Sequence, residues 1–282
     1  MTERISKAQR TQNTQALFEA ATRGDVQEVE RLIPVSAPKT TDESDRTPLL
    51  LAINGDHVQC VKALLPVTGA LSKNISGFTP LMWAAYKGAT ECVRYLIPHS
   101  KPDTTNITKR TALHYAADRG HLEALRLLIP VSNVSKRDDD GYSALMLAAD
   151  RGHTECVRAL IPVSNPKSFN KRGWNALMVA ASGGHNECVK LLIPVSAPQR
   201  TDENGHSALM IAAMEGHAAC VQALLPVSAA HQADREGKTA LDLAQDPACR
   251  AILMSNQDQR VLETVVPEVL EKPKTVLGRK TI

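Results

Sequence analysis

Aromatic residues are scarce in this sequence: Phe, Trp and Tyr together make up only 3% of the 282 residues. A core with so few rings is built mainly from Leu, Ile, Val and Ala. Such a core suits close helix packing better than a sandwich or barrel of aromatic-rich strands. Because 43% of the residues are apolar and 22% are charged, the composition is that of a globular chain. The composition therefore indicates an all-α fold.

Long apolar runs and a strong net charge are also missing. No segment approaches the roughly 18 apolar residues of a membrane-spanning helix, so we expect no membrane span. The stretch MTERISKAQRTQNTQ (1–15) is polar and lacks the apolar region of a Sec signal, which predicts a cytoplasmic protein. Export into a host cell by another route stays open. The net charge of +3 is too small to indicate nucleic acid by itself.

Sequence motifs of catalysis are absent as well. The chain has no Gly-rich phosphate loop, no His-Glu-x-x-His and no Gly-x-Ser-x-Gly. We therefore expect no enzymatic activity, no catalytic residue and no cofactor.

A regular repeat dominates what the sequence does contain. The tetrapeptide IPVS or a close variant occurs at 33, 65, 97, 129, 161, 193 and 225, always 32 residues apart. Eight repeats begin near residues 12, 44, 76, 108, 140, 172, 204 and 236. This period predicts a repeat array over 12–260, with its first and last repeats as caps. A polar N-terminal segment, 1–11, precedes the array, and a tail that we expect to be flexible, 261–282, follows it.

Each repeat carries the signals of two short helices. The first helix follows a residue whose side chain can cap it: Thr47, Thr79, Thr111, Ser143, Asn175, Ser207 or Thr239. It ends at a glycine such as Gly88 or Gly120. The second helix, such as NECVKLLI (186–193), has an apolar stripe at i, i+3 and i+4. About ten polar residues then lead to the next cap, which fits a hairpin-like loop.

Two stretches carry a family resemblance. SGFTPLMWAAYKGATECVRYLI (76–97) and TALHYAADRGHLEALRLLI (111–129) resemble the ankyrin repeat, whose hallmark is Thr-Pro-Leu-His-x-Ala, then Gly-His, then an apolar second helix. The resemblance covers about residues 12–255. It implies an ankyrin-type solenoid of helix-loop-helix units with hairpin-like finger loops. It also implies a non-catalytic scaffold or adaptor that holds a partner protein on its concave helix face and fingers, and we expect a monomer.

The repeat departs from the family where the second helix ends. Family repeats usually run 33 residues and place Gly after this helix, whereas these repeats run 32 residues and read Leu-Ile-Pro-Val-Ser. Proline disfavours α conformation in the residue before it. We therefore predict a shortened second helix at Pro34, Pro66, Pro98, Pro130, Pro162, Pro194 and Pro226.

Histidine and cysteine recur with the spacing of metal ligands. The pairs are His57 and Cys60, His153 and Cys156, His185 and Cys188, and His217 and Cys220. A zinc site needs further ligands at about 2.0 to 2.3 Å, and the nearest equivalents lie a whole repeat away. Free cysteine also behaves as a small apolar residue. We therefore predict reduced, buried cysteines, structural histidines and no metal site.

Partner recognition is expected at positions that differ between repeats. One set precedes the cap of the first helix and the other closes that helix. The predicted partner-binding residues are Arg46, Phe78, Tyr86, Lys87, Arg110, Asp118, Arg119, Tyr142, Asp150, Arg151, Trp174, His206 and Met214. Because interface hot spots are enriched in Tyr, Trp and Arg, we expect repeats three to six to hold the partner. Trp83 is instead expected to be packed, because its equivalents in other repeats are apolar.

Alternative functions stay open at this point. Lys87, Arg119 and Arg151 form a basic stripe that is suited to nucleic acid or another acidic ligand, although we do not expect nucleic acid as the partner. Asp118 and Asp150 adjoin two of these cations, so a solvated helix end with local ion pairs is a further interpretation. The chain is also compatible with a regulatory subunit of an enzyme or an effector that acts on a host.

Overall fold

A computed structural model describes residues 6–256. Residues 1–5 and 257–282, which include the predicted tail, lie outside the described residues. The described chain is helical and contains no β-strand, only an isolated antiparallel bridge between Thr201 and Ser207. The predicted all-α class is therefore confirmed.

Each repeat contributes a first and a second helix. The first helices are α1 (Lys7–Arg23), α3 (Pro48–Asn54), α5 (Pro80–Lys87), α7 (Ala112–Arg119), α9 (Ala144–Asp150), α11 (Ala176–Ser182), α13 (Ala208–Met214) and α15 (Ala240–Leu243). The second helices are α2 (Val26–Leu32), α4 (Val58–Thr68), α6 (Thr90–Leu96), α8 (Leu122–Leu128), α10 (Thr154–Leu160), α12 (Asn186–Leu192), α14 (Ala218–Leu224) and α16 (247–256). Helix α1 begins before residue 12, where we placed the start of the array.

The proline of each repeat ends the second helix as predicted in six cases. Helices α2, α6, α8, α10, α12 and α14 all stop at the leucine two residues before it, and a short 3₁₀ helix or turn follows. Helix α4 is the exception, because it continues through Pro66 to Thr68. The Thr68 hydroxyl donates a hydrogen bond to the Leu64 carbonyl at 2.8 Å, and the Gly69 N–H donates to the Leu65 carbonyl at 2.8 Å. These bonds satisfy the carbonyl groups of the two residues that precede the proline, and the helix continues past it.

The chain divides after Ala197 into two compact parts, repeats one to six and repeats seven and eight. In the first part, neighbouring first helices pack on one another, and neighbouring second helices do the same. The alanine pairs of the first helices are fully buried, so the helices approach closely. In the second part α13 packs against α14 and α15. None of the helices in residues 6–256 combines the length and the apolar character that a membrane crossing requires.

Histidine and glycine join successive repeats in the first part. His121 Nε2 donates to the Tyr86 carbonyl at 3.1 Å, and His153 Nε2 donates to the Asp118 carbonyl at 3.1 Å. A Cβ atom at Gly120, whose φ is +73°, would lie 2.5 Å from Nδ1 of His153. The ring therefore fills the space that the glycine leaves. These contacts agree with the structural role expected for the histidines, and all six cysteines are buried and outside any disulfide bond.

Candidate partner-binding surface

An Asp or Asn residue fixes each finger loop and the variable residue that follows it. Asn74 Oδ1 accepts a hydrogen bond from the Phe78 N–H at 2.8 Å, and the Asn74 N–H donates to the Phe78 carbonyl at 3.1 Å. The same reciprocal pair joins Asp138 and Tyr142 at 2.8 and 3.0 Å. The residues at this position are Asp42, Asn74, Asn106, Asp138, Asn170, Asp202 and Asp234. A repeated turn therefore presents a different side chain in each repeat.

Four rings from two successive repeats form what we call the aromatic patch: Phe78, Trp83, Tyr86 and Tyr115. The centroid of Phe78 lies 5.7 Å from Trp83, 6.1 Å from Tyr86 and 4.6 Å from Tyr115. Tyr86 lies 5.6 Å from Trp83 and 5.9 Å from Tyr115. Tyr115 is buried and the other three rings are half-buried. The patch thus has a packed base and a partly exposed upper surface.

Two cations lie over the aromatic patch. The Lys87 ammonium is 5.3 Å from the centroids of both Trp83 and Tyr86. The Arg119 guanidinium is 4.4 Å from the Tyr86 centroid and donates a hydrogen bond to the Tyr86 hydroxyl at 3.1 Å. Cation–π contacts of this kind contribute about 0.5–1 kcal/mol at exposed sites. The predicted residues Phe78, Tyr86, Lys87 and Arg119 therefore lie together.

Asp118 joins the arginines of two repeats. Its carboxylate is only 6% exposed and lies 3.1 Å from Nε of Arg151 and 3.5 Å from Nε of Arg119. Arg151 Nε also lies 3.7 Å from Asp150. The hydrogen bond and charge of Asp118 raise the pKa of Arg151 above its usual value. Two cations of the predicted basic stripe are therefore compensated by carboxylates of the same chain.

Arg110, Tyr142 and Trp174 follow along the first part. Arg110 Nε donates to Asp138 Oδ2 in the next finger at 3.0 Å. Tyr142 is half-buried, and this burial raises the pKa of its hydroxyl. The Arg172 guanidinium lies 5.9 Å from the centroid of Trp174. One groove is lined by Arg110, Asp140, Tyr142, Leu147, Asp150, Arg151, Lys171 and Arg172.

The other predicted residues lie apart from this group. Arg46 pairs with Asp42 of its own finger at 2.7 Å. In the second part, His206 lies 3.5 Å from a carboxylate oxygen of Asp202 and 3.4 Å from one of Asp234. Met214 is 41% exposed at the end of α13.

The expectation that Trp83 is packed holds only in part. Trp83 is half-buried, and its Nε1 donates to Asn54 Oδ1 at 2.8 Å. Its equivalents Leu147 and Val179 are 3% and 1% exposed. The indole ring is larger than the aliphatic side chains at this repeat position, so it extends beyond the core. The size of the Trp83 side chain is the feature of the sequence that could have predicted this exposure.

Two isoleucines at finger tips were also missed by the sequence argument. Ile75 is 85% exposed and Ile107 is 71% exposed. The signal lies in their repeat position, which is charged in the other fingers: Glu43, Asp139, Lys171, Glu203 and Arg235. An apolar side chain at such an exposed tip marks a surface for contact.

The chemical groups of this surface suit binding. Aromatic side chains and arginine, which this surface contains, are enriched in protein interfaces. In residues 6–256, no group of three or more His, Cys, Asp or Glu side chains is placed to hold a metal ion. Burial raises the pKa of the Cys156 thiol to about 11, so this thiol stays protonated.

Comparison with known families identifies the repeat. A family model described as ankyrin repeats (three copies) matches residues 67–138, 98–166, 113–200 and 195–261, and a single ankyrin repeat model matches 44–75. A comparison with curated proteins gives no match. Ankyrin repeats generally mediate protein–protein interaction and are typically non-catalytic. Since the matches cover most of the sequence, the chain belongs to the ankyrin repeat family.

Proposed function

We propose that this protein is a non-catalytic scaffold or adaptor that binds a partner protein on the first-helix ends and finger loops of repeats three to six. The observation that carries the proposal is the succession of partly exposed rings and cations from Phe78 to Trp174. Exposed Tyr, Trp and Arg side chains of this kind supply most of the binding energy in protein interfaces.

The contrast between constant and variable positions supports this assignment. The caps, alanine pairs, glycines and histidines recur because they build each repeat and join it to the next. The residue four positions after the Asp or Asn of a finger donates its backbone N–H to that side chain in repeat after repeat, yet its own side chain differs in size and charge. Packing does not require this variety, whereas a surface that matches the irregular shape of a partner does.

Protein is favoured over nucleic acid as the partner. Asp118 compensates Arg119 and Arg151, and Asp138 compensates Arg110. Nucleic-acid affinity comes mainly from cations that neutralise phosphates, so paired cations weaken it. A fluorescein-labelled oligouridine should therefore show little binding at physiological salt. Tight binding of this probe with a steep salt dependence would contradict the proposal.

A triple variant tests the surface in affinity capture of partners. Trp174→Ala, Tyr142→Ala and Arg110→Ala together should reduce partner recovery at least tenfold, because they remove two rings and one guanidinium. The matched control is Arg94→Ala, Arg126→Ala and Arg158→Ala, since these arginines are exposed on second helices and, within residues 6–256, form an ion pair only with the glutamate three residues earlier. The control triple should retain the partner.

Circular dichroism and thermal unfolding of both triples separate loss of binding from loss of the fold. A photo-crosslinking residue at position 142 should label the partner, whereas the same residue at position 158 should not. If the first triple variant stayed folded and captured the same partner, the proposed surface would be wrong.

A further inference from the structure

The aromatic patch continues onto two finger tips. Phe78 lines a groove with Ile75 on one side and a second groove with Ile107 on the other. Both isoleucines are exposed, and the half-buried rings of Trp83 and Tyr86 pack beside Phe78. Together these side chains form an apolar surface from the finger tips to the end of α5. Exposed apolar surface that is rimmed by polar groups marks interaction sites.

The charge at the helix end of this surface is positive and only partly compensated. Lys87 is exposed, and within residues 6–256 it has no carboxylate at ion-pair distance; its contacts are with the faces of Trp83 and Tyr86. Arg119 and Arg151 share Asp118 instead. An anionic group that docks beside Trp83 therefore meets the Lys87 ammonium, which no carboxylate among the described residues neutralises.

A cationic guest does not fit the same rings. Aromatic faces attract cations, but the face of Tyr86 already has the Arg119 guanidinium at 4.4 Å and the Lys87 ammonium at 5.3 Å. A third positive charge there meets like-charge repulsion. The end of the patch at Lys87 therefore favours apolar groups next to negative charge, whereas the groove beside Ile107 is lined by Asp138, Asp139 and Asp140 and favours uncharged groups.

The size of the surface suits a short extended segment. Helix α5 has eight residues and is therefore about 12 Å long. About four residues of extended chain span this length. A segment of that length can place one carboxylate near Lys87 and apolar side chains on Trp83 and Phe78, and a longer peptide is needed to reach the isoleucine tips as well.

We propose that the aromatic patch, with Ile75, Ile107 and Lys87, is a docking site for a linear peptide segment that carries Asp or Glu next to large apolar residues. This inference rests on the proposed protein-binding function and specifies the partner chemistry. The carboxylate pairs with Lys87, and the apolar side chains cover the rings and finger tips.

Selection from a random twelve-residue peptide library displayed on phage tests the proposal on the full chain. Peptides selected by the wild-type protein should be enriched in Asp and Glu within a few residues of Leu, Ile, Phe or Trp. A Lys87→Glu protein should select Lys or Arg in place of the acids, because the charge of the site is reversed. Lys167→Glu is the matched control, since Lys167 is exposed in a later loop and only its backbone N–H has a recorded hydrogen bond among the described residues, to Asn165.

The peptides selected by the wild-type protein are then measured by fluorescence anisotropy against the variants. Lys87→Glu and Trp83→Ala should each weaken binding at least tenfold, while Lys167→Glu should change it less than twofold. Lys87 is exposed, so Lys87→Glu should leave the fold intact. This variant therefore tests the site even if Trp83→Ala lowers the stability of the protein.

Three results would overturn the inference. The first is selection without acidic enrichment, and the second is selected peptides whose binding is unaffected by Lys87→Glu. The third is recovery of no peptide at all. The proposed function survives each of these if the Trp174, Tyr142 and Arg110 triple variant still loses the captured partner protein. Oligouridine binding that falls with Trp83→Ala would overturn both in favour of single-stranded nucleic acid.

Discussion

The Asp56 carboxylate caps the helix that begins after Ala89 in the next repeat. Its Oδ1 accepts a hydrogen bond from the Cys92 N–H at 2.8 Å, and its Oδ2 accepts one from the Glu91 N–H at 3.2 Å. Neighbouring repeats in the first part place a glycine and a histidine at the positions of Asp56 and Ala89. The carboxylate thus uses the space that opens where the histidine ring is missing.

Because Asp56 and Ala89 replace a glycine–histidine pair, we expect substitutions at these two positions to have strongly coupled effects on the free energy of unfolding. Asp56→Gly should lower the free energy of unfolding by about 1 kcal/mol, because the cap is lost while the strain of a positive φ is relieved. Ala89→His should also destabilise, since its ring needs the space of the carboxylate. The double variant restores the glycine–histidine pair and should recover most of the stability.

Urea unfolding of the two single variants and the double variant forms a double-mutant cycle. We expect a favourable coupling free energy of about 1 kcal/mol or more. Strictly additive effects would show that Asp56 does not replace the ring.

The buried thiols give a second prediction. All six cysteines are buried and outside any disulfide bond, and burial raises the pKa of Cys156 and of Cys249 to about 11. A thiol whose pKa is about 11 instead of the usual value near 9 has a thiolate fraction at pH 8 that is about 100-fold lower. Cys156 and Cys249 of the native protein should therefore react with Ellman's reagent about 100-fold more slowly than in urea, where six thiols should titrate, and burial should slow the other thiols as well. Rapid reaction of one native thiol would identify a locally open repeat.

The repeat pattern predicted the helices and most of their ends, because the caps, glycines and prolines act on the backbone within a few residues. It failed at α4, where the Thr68 hydroxyl donates a hydrogen bond to the Leu64 carbonyl, whereas the serine hydroxyls at this position in the other repeats have no hydrogen-bond partner among the described residues. The site was less predictable. The contact of Arg110 with Asp138 depends on how two fingers approach each other, and this distance is not encoded within one repeat.

The link between Asp118 and Arg151 gives a third prediction. Asp118 is buried but Arg151 is largely exposed, so solvent screens the pair. A cycle with Asp118→Asn and Arg151→Gln should give a coupling of about 0.5–1 kcal/mol in low salt. This coupling should decrease in 1 M NaCl, where the Debye length is about 3 Å.

The exposed pair of Arg126 and Glu123 on α8 is the matched control for this cycle. Its coupling should be at most about 0.5 kcal/mol, as for other helix pairs three or four residues apart. Equal couplings for the two pairs would show that burial of Asp118 adds nothing.

His114 makes the stability of the array depend on pH. It is 1% exposed, and its Nδ1 accepts a hydrogen bond from the Thr111 N–H at 3.2 Å. Burial lowers the pKa of His114 from its usual 6.5 to about 4, while the nearby charges of Asp138 and Arg110 act in opposite directions. The side chain is therefore neutral in the folded protein at neutral pH.

The direction of the pH effect follows from this lowered pKa. Well above pH 6.5 His114 is neutral in both states and contributes nothing to the pH dependence. Between pH 6.5 and about 4 the unfolded chain binds a proton that the folded chain does not, so the free energy of unfolding falls as the pH falls. The loss is about 1.4 kcal/mol per pH unit and reaches the order of 3 kcal/mol.

His114→Met removes this dependence without changing the architecture, because Met82, Met146, Met178 and Met210 are buried at the same repeat position. Urea unfolding at several pH values between 4.5 and 8 (~0.5-unit steps) should show a shallower decline for the variant than for the wild type. The two proteins should differ least above pH 7, where the histidine is neutral in both states. Parallel curves across this range would mean that His114 is protonated in the folded protein at the same pH as in the unfolded chain. The folded protein would then have to expose the buried ring by a local opening of α7.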